Sequence, residues 1–215
     1  MARAKRVITI HVRDEREKEE FMRELQRLNL PAFIYVHGKL DSIKINVQGT
    51  KDEIREAIGK IRAIHNRVRA KLSPDKGGLY HYSPDDLFRD AGTSVSIPII
   101  VKTLELMGET VKLKEDGSEV VSSVPWEELV EIVKNLGEAL SEISLQTTRQ
   151  IREVVLPVSV AFGMEPEDVL NLLVDLGIAE WKEDKFKYEL VKNKGHALEM
   201  LIRHLEGEEG DSDED

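Results

Sequence analysis

The stretch "FIYVHGKLDSIKINVQ", residues 33–48, decides the fold because two runs of alternating residues flank a short polar turn. In the first run, Ile34 and Val36 share one face of a predicted strand over 32–38. Aromatic side chains and an imidazole share the other face of that strand. The second run, 42–48, alternates in the same way after the turn "GKLD". We therefore predict a β-hairpin with one aliphatic face and one mixed face.

The segments around the hairpin extend it to a βαββα unit. Residues 6–12, "RVITIHV", alternate as a strand does, and residues 14–28 repeat their apolar side chains at helical spacing. Residues 51–72 predict a long helix with an aliphatic stripe. Two helices then cover one face of a small sheet. The predicted aliphatic face consists of Ile8, Ile10, Ile34, Val36, Ile43, Ile45 and Val47.

The pattern of predicted elements changes after the linker "SPDKGG", residues 73–78. Short helices that end on glycine precede two predicted hairpins, at 109–124 and 178–191, and this order is typical of a winged-helix module. An ordinary helical domain with two hairpins is the alternative. From Pro125 a helical region is predicted to about Ala161, with a kink or break at Pro157.

The predicted fold class is α+β, with three segments. A basic βαββα domain occupies 1–76, a mostly helical, winged-helix-like domain occupies 77–205, and a disordered acidic tail occupies 206–215.

Composition excludes several function classes. The chain has no cysteine, which removes disulfides, zinc–cysteine sites and thiol nucleophiles. It has no apolar run of membrane-spanning length, so we expect a cytoplasmic protein without a membrane partner. The six histidines show no metal-ligand spacing, and no phosphate-binding glycine loop is present. We expect a non-enzymatic protein without a cofactor or a metal.

Charge is distributed unevenly along the chain. The net charge is −10, yet residues 1–76 carry 18 Lys and Arg against 11 Asp and Glu, while the tail 206–215 carries seven acids and no base. Such asymmetry indicates that the N-terminal part meets a polyanion. The tail is interpreted as solubilising, and screening of the basic part is the alternative.

The basic residues of the N-terminal part are candidates for RNA phosphate contacts. Several recur along one side of the helix predicted over 51–72, and no acid follows residue 60 within that helix. The alternative is a solvated helix face with pairs such as Glu56 with Lys60. The candidates are Arg3, Lys5, Arg6, Lys44, Arg55, Lys60, Arg62, Arg67, Arg69 and Lys71.

The mixed face of the predicted sheet is a second candidate surface. Open sheets that present aromatic rings beside basic and amide groups stack on unpaired bases. The same residue types are typical of protein interfaces, so contact with a second copy of the chain or with the C-terminal domain remains open. This face is predicted to carry Thr9, His11, Phe33, Tyr35, His37, Lys44 and Asn46.

A polar cluster interrupts the acidic C-terminal half. The segment "SLQTTRQIREVVLPVSVAFG", residues 144–163, is rich in amides, hydroxyls and arginine at its start and apolar afterwards. Such a cluster either docks a partner or caps a buried polar network.

Three segments carry a resemblance to a known family. The run from "RVITIHV" to "QGTKDEIREAI", together with "SLQTTRQIREVVLPV" and "AEWKEDKFKYELVKN", resembles an archaeal family of conserved proteins held as a domain of unknown function. The resemblance covers the chain except the acidic tail and carries no catalytic motif. The βαββα half is also similar in topology to the small KEOPS subunit, which dimerises and contacts tRNA.

Size, charge asymmetry and a predicted dimer surface are similar to those of archaeal ribosome dimerisation factors, which as homodimers join two small subunits and block 70S assembly. This resemblance implies a homodimer that contacts rRNA and ribosomal protein of the small subunit and inhibits translation. The alternative function is a winged-helix DNA-binding regulator. The helices at its recognition positions are apolar and acidic, which disfavours contact with a DNA backbone.

Overall fold

The computed structural model describes residues 4–211 and has an α+β architecture, as predicted. The chain divides into two compact units, Met1–Tyr82 and Ser83–Asp215. The first unit has the predicted βαββα order and ends with one more short strand. Its elements are β1 (Ala4–His11), α1 (Glu15–Arg27), β2 (Phe33–Gly38), β3 (Ser42–Gly49), α2 (Lys51–Leu72) and β4 (Tyr80–Tyr82).

The sheet of the first unit has the strand order β1-β3-β2, and both pairings are antiparallel. The strand at the centre of the sheet, β3, is the last of the three in sequence. Val7 and Tyr35 both lie opposite Asn46, so one residue from each strand forms a row across the sheet. Because lateral partners share a face, this register fixes which side chains lie together on each side.

The aliphatic face of the sheet packs against the core, as the alternation predicts. Ile43, Ile45 and Val47 of β3 are fully buried, and apolar residues of α1 and α2 complete the same cluster. Local capping fixes where these helices begin. The carboxylate of Asp14 accepts a hydrogen bond from the N–H of Glu17 at 2.8 Å, and Thr50 forms a reciprocal capping box with residue 53 of α2.

The boundary between the units lies later than the predicted linker. Strand β4 packs on α2 and so belongs to the first unit, which ends at Tyr82 rather than at residue 76. The segment 73–78 forms an ordered turn, because the Asp75 carboxylate accepts hydrogen bonds from the N–H groups of Gly77 at 2.7 Å and Leu79 at 3.1 Å.

The second unit contains the helices and the two hairpins that the sequence predicts. Gly108 and Gly177 end the helices that precede the hairpins, with φ of 80° and 65°. The elements are α3 (Pro84–Ala91), α4 (Ile97–Leu106), β5 (Val111–Leu113), β6 (Val120–Ser122), α5 (Trp126–Ile143), α6 (Arg149–Phe162), α7 (Pro166–Asp175), β7 (Ala179–Lys182), β8 (Lys187–Leu190) and α8 (Lys194–Asp211).

Helix α8 includes part of the segment predicted to be a disordered tail. Residues 206–211 continue the helix, and residues 212–215 lie outside the described part of the chain. No helix within residues 4–211 is long and apolar enough to cross a membrane.

Of the kink or break predicted at Pro157, the break is wrong, because Pro157 lies inside α6 and the chain turns at 144–148 instead. The N–H of Tyr188 on β8 donates to the carbonyl of Gln146 at 2.8 Å, and the N–H of Thr148 donates to the carbonyl of Tyr188 at 3.2 Å. These bonds form a single parallel bridge between Thr147 and Tyr188. Helix α6 meanwhile tolerates one missing N–H because its apolar side is completely buried.

A close approach between α5 and the segment after α3 depends on glycine. A Cβ atom at position 137 would lie 2.5 Å from Oγ1 of Thr93 and 2.6 Å from its Cγ2. These distances are shorter than ordinary van der Waals contacts, so the packing at this point excludes any larger residue.

Candidate nucleic-acid interface

The open face of the first unit's sheet collects the side chains that alternation assigned to it. Phe33 lies opposite Gln48, Tyr35 opposite Asn46, and His37 opposite Lys44. The second edge strand completes these three rows with Lys5, Val7 and Thr9, and with His11 beyond them. We call this surface the open sheet face; it consists of Lys5, Val7, Thr9, His11, Phe33, Tyr35, His37, Lys44, Asn46 and Gln48.

Two aromatic rings stand on this face without cover from the described residues. Phe33 is 76% exposed and Tyr35 is 67% exposed. They lie two positions apart on β2, which separates them by roughly 7 Å along the strand. Val7, in the same row as Tyr35, is 53% exposed, so three exposed apolar side chains share this face. Grouped exposed apolar residues of this kind indicate a contact site.

The charge of the open sheet face is exclusively positive. Lys5 and Lys44 are exposed, and neither contacts a carboxylate in the described part of the chain. None of the ten residues of this face is acidic. Arg6, by contrast, lies opposite Val47 and so belongs to the other side of the sheet, although it too is exposed at the strand end.

A cavity of 310 Å³ lies where the open sheet face meets the start of α2. Lys5, Phe33, Gln48 and Glu53 line it. One carboxylate oxygen of Glu53 accepts a hydrogen bond from the N–H of Thr50 at 2.7 Å. The cavity thus combines a ring, a cation, an amide and a carboxylate, which are groups that can stack on a base, meet a phosphate and bind polar base edges.

Four of the predicted phosphate contacts are ion-paired, and this corrects the picture of a uniformly basic helix. Lys60 contacts Glu56 at 2.7 Å within α2. The other three pair with carboxylates of the neighbouring helix α1. The pairs are Arg67 Nη2 with Glu24 Oε2 at 2.9 Å, Arg69 Nε with Glu17 Oε1 at 2.7 Å, and Lys71 Nζ with Glu20 Oε1 at 2.5 Å.

These three carboxylates form a buried stripe on α1. Glu17, Glu20 and Glu24 recur at spacings of three and four, which places them on one side of the helix, and each is at most 8% exposed. That spacing was the available signal in the sequence. Lys71 is itself only 5% exposed, so its ammonium group holds α1 to α2 and is not presented to a ligand.

Glu17 is the centre of this network. Burial acts to raise the pKa of its carboxyl, but hydrogen bonds from Arg69, from the N–H of Arg13 and from His65 together hold the pKa below its ordinary value. His65 Nε2 lies 2.9 Å from Glu17 Oε1, and Arg69 also donates to the carbonyl of His11 on β1 at 2.9 Å. The network therefore ties both helices to the sheet.

The other candidates of α2 remain on the surface. Arg55 and Arg62 are exposed, and neither has a hydrogen-bond or ion-pair partner among residues 4–211. Arg3 lies outside the described residues. The free cations in the described part of the first unit thus include Lys5, Lys44, Arg55 and Arg62. Gln48, which was not predicted, lies on the open sheet face by the same alternation that placed Asn46 there.

The described residues hold no group of three or more His, Asp or Glu side chains arranged to bind a metal ion. The aromatic, amide and basic groups of the open sheet face are therefore the most developed candidate surface of the first unit.

Comparison with known proteins identifies relatives without an assigned activity. A family model described as "Uncharacterized protein conserved in archaea (DUF2067)" matches residues 10–199. The Uncharacterized protein MJ0388 of Methanocaldococcus jannaschii is 25% identical over 212 residues, which cover 97% of each chain. No solved structure matches the chain.

Proposed function

The chain belongs to the DUF2067 family of proteins conserved in archaea, and we propose that it is a non-enzymatic, cytoplasmic RNA-binding factor that associates with the ribosome. In this proposal the open sheet face binds unpaired RNA. The observation that carries the proposal is the exposure of Phe33 and Tyr35 beside the unpaired cations Lys5 and Lys44. Rings supply stacking and cations supply phosphate attraction.

The spacing of the two rings favours a single strand. Bases in a helical strand are about 3.4 Å apart, whereas Phe33 and Tyr35 are separated by roughly twice that distance. The two rings can therefore each stack on a base only if the nucleotides are unstacked and extended. Loops and ends of RNA provide such nucleotides, and a continuous duplex does not.

The charge of the open sheet face favours RNA over self-association through this face. A two-fold contact would bring Lys5 and Lys44 of two copies together with no carboxylate on the face to neutralise them. Phosphates neutralise these lysines. The homodimer that the resemblance to ribosome dimerisation factors implies would then use another surface.

The ribosomal small subunit is the proposed partner because it presents rRNA and protein together. The positive charge of residues 1–76 suits rRNA, and the acidic remainder of the chain suits basic ribosomal proteins. Inhibition of translation by joining small subunits or by blocking subunit association is the proposed output. Binding to DNA through the second unit lacks comparable support, since α7 carries three acids and no base.

Fluorescence anisotropy with a labelled single-stranded RNA tests the proposal directly. We expect salt-sensitive binding to a twelve-nucleotide RNA, weaker binding to the same sequence as a duplex, and cosedimentation with small subunits that high salt abolishes. Equal affinity for duplex DNA would favour the DNA-binding alternative. Failure to bind any single-stranded RNA at low salt contradicts the proposal.

A further inference from the structure

A second cavity lies inside the second unit, among α4, α5 and α6. It has a volume of 210 Å³ and is lined by Ser96, Ile99, Leu140, Arg149, Arg152 and Glu153. We call it the α4–α6 cavity. Three of its residues come from the start of α6, within the polar cluster of the sequence that the open sheet face does not use.

The polar cluster divides into a structural part and a part that faces this cavity. Gln146 and Thr148 pair with Tyr188 through their backbones, and the hydroxyl of Thr147 donates to the carbonyl of Ile143 at 2.5 Å. These groups hold the turn between α5 and α6. Arg149 and Arg152 take no part in that pairing of the backbone with β8, and their side chains line the cavity instead.

Positive charge exceeds negative charge at the cavity. Glu153 is bound on one side by Arg149 at 2.8 Å and on the other by Lys194 at 2.5 Å. Arg152 makes one long contact, from Nε to the carbonyl of Thr148 at 3.4 Å, and its terminal nitrogens have no partner among the described residues. Arg152 lines the cavity, so these free donors are available there to a bound anion or to solvent.

Helix stability does not explain the position of Arg152. It lies in the first turn of α6, which contains no acidic residue, and cations are unfavourable at that end of a helix dipole. A residue that is unfavourable for its own helix and makes no compensating contact is expected at a ligand-binding site. The cavity supplies the place where the missing contact would be made.

The floor of the cavity is apolar, which restricts the ligand further. Ile99 is 5% exposed and Leu140 is half-buried, so a purely ionic ligand would leave this surface unused. A cavity of 210 Å³ is smaller than the roughly 300–1,000 Å³ pockets that take drug-sized ligands, so it suits a small molecule.

We propose that the α4–α6 cavity binds a small organic carboxylate, with the carboxylate on Arg152 and a short branched or linear apolar body against Ile99 and Leu140. The planar guanidinium fork matches the two oxygens of a carboxylate. Arg149 and Lys194 keep Glu153 occupied, so that the protein's own carboxylate does not neutralise Arg152. The site is independent of RNA binding by the first unit.

Methyl-labelled protein titrated with isovalerate in an NMR experiment tests this site, because the methyl signals of Ile99 and Leu140 report on the cavity floor. We expect saturable shifts of these signals in the millimolar range. The uncharged analogue 3-methylbutan-1-ol should bind at least about tenfold more weakly, since it lacks the charge that pairs with Arg152. Inorganic phosphate should bind more weakly than isovalerate, since it has no apolar body to contact Ile99 and Leu140.

The variant Arg152→Gln should lose about tenfold or more in isovalerate affinity, and Arg152→Lys should lose affinity to a smaller degree because it keeps the charge without the fork. Arg203→Gln is the matched control, since Arg203 is an exposed arginine that pairs only along α8 with Glu199. Unchanged isovalerate binding in a folded Arg152→Gln protein overturns the proposal. So does equal binding of the alcohol or of phosphate at the same floor, or the absence of any shift.

Discussion

Glu17 on α1 accepts a hydrogen bond from Nε of Arg69 on α2 at 2.7 Å, across 52 residues of sequence. Arg69 was predicted from the sequence to contact phosphate, but in the structure it links two helices. The carboxylate is 3% exposed, and the same guanidinium reaches the backbone of β1. Part of the positive charge of the first unit therefore stabilises the fold and is not available to a ligand.

Replacement of Glu17 tests this structural role. Glu17→Gln removes the charge that Arg69 and His65 share, and we expect the free energy of unfolding to fall by roughly 1–3 kcal/mol because the remaining donors stay partly buried. Urea denaturation measures the change. Glu19→Gln is the control, because Glu19 is exposed on the same helix and should change stability little. Equal stability of the two variants would contradict the assignment.

The same network predicts how stability depends on pH. The pKa of Glu17 is lowered in the folded protein from an ordinary value of 4.5, so its carboxylate contributes stability that is complete above that pH. As pH falls through the lowered pKa, the folded carboxylate is protonated and the contribution is lost. We expect the stability difference between wild type and Glu17→Gln to shrink from pH 6 to pH 3. A constant difference over that range would show that the charge does not matter.

Two arginines of α2 should respond differently to charge reversal. Arg62 is exposed without a described partner, so Arg62→Glu should leave the melting temperature nearly unchanged and weaken RNA binding and its dependence on salt. Arg69→Glu should lower the melting temperature instead, because it places a second carboxylate beside Glu17. Thermal unfolding and anisotropy measure the two effects. If Arg62→Glu leaves RNA affinity unchanged, the outer side of α2 is not part of the RNA surface.

The aromatic residues of the open sheet face should contribute to affinity and little to stability. Phe33→Ala combined with Tyr35→Ala should weaken binding of single-stranded RNA by at least about fivefold per ring, given roughly 1–3 kcal/mol for each base stack. Leu40→Ala is the control, because Leu40 is an equally exposed apolar residue in the adjacent turn. Size-exclusion chromatography of the double variant distinguishes lost RNA binding from lost dimerisation. A dimer that dissociates with RNA affinity intact would assign the face to protein contact.

Two helical glycines should give opposite results when replaced with alanine. Gly59→Ala in α2 should stabilise the protein by roughly 0.5–1 kcal/mol, because a Cβ there meets no atom within 4 Å and alanine is the better helix former. Gly137→Ala in α5 should destabilise it, because the new Cβ would overlap Thr93. Denaturation midpoints of the two variants provide the comparison. Stabilisation by both changes would refute the close contact at Thr93.

Most elements of the two units were predictable because they depend on local periodicity, although the short strand β4 was not. The two faces of β1, β2 and β3 follow from alternation, and the glycines at 108 and 177 end their helices as expected. The break at Pro157 was not predictable in this way. The turn lies at 144–148 because of pairing with Tyr188, a contact 40 or more residues away that local rules do not contain.

The candidate site was predictable to the extent that it lies on strands. Phe33, Tyr35 and Lys44 occupy the face that alternation assigns, since a strand fixes side-chain direction with a period of two. The free basic side chains of α2 were harder to predict, because most of the carboxylates that pair with the others lie on the neighbouring helix. Only the three- and four-residue spacing of Glu17, Glu20 and Glu24 on α1 hinted that Arg67, Arg69 and Lys71 would be neutralised.

The strand order β1-β3-β2 has a consequence for how the protein is made. During synthesis β1 and β2 both emerge before β3, and neither has a lateral partner in its own sheet until residue 49 has left the exit tunnel. The nascent chain must therefore carry two unpaired, partly apolar strands together with α1 until the middle strand arrives. The rate of synthesis while residues 42–49 leave the tunnel thus determines how long this exposed intermediate persists.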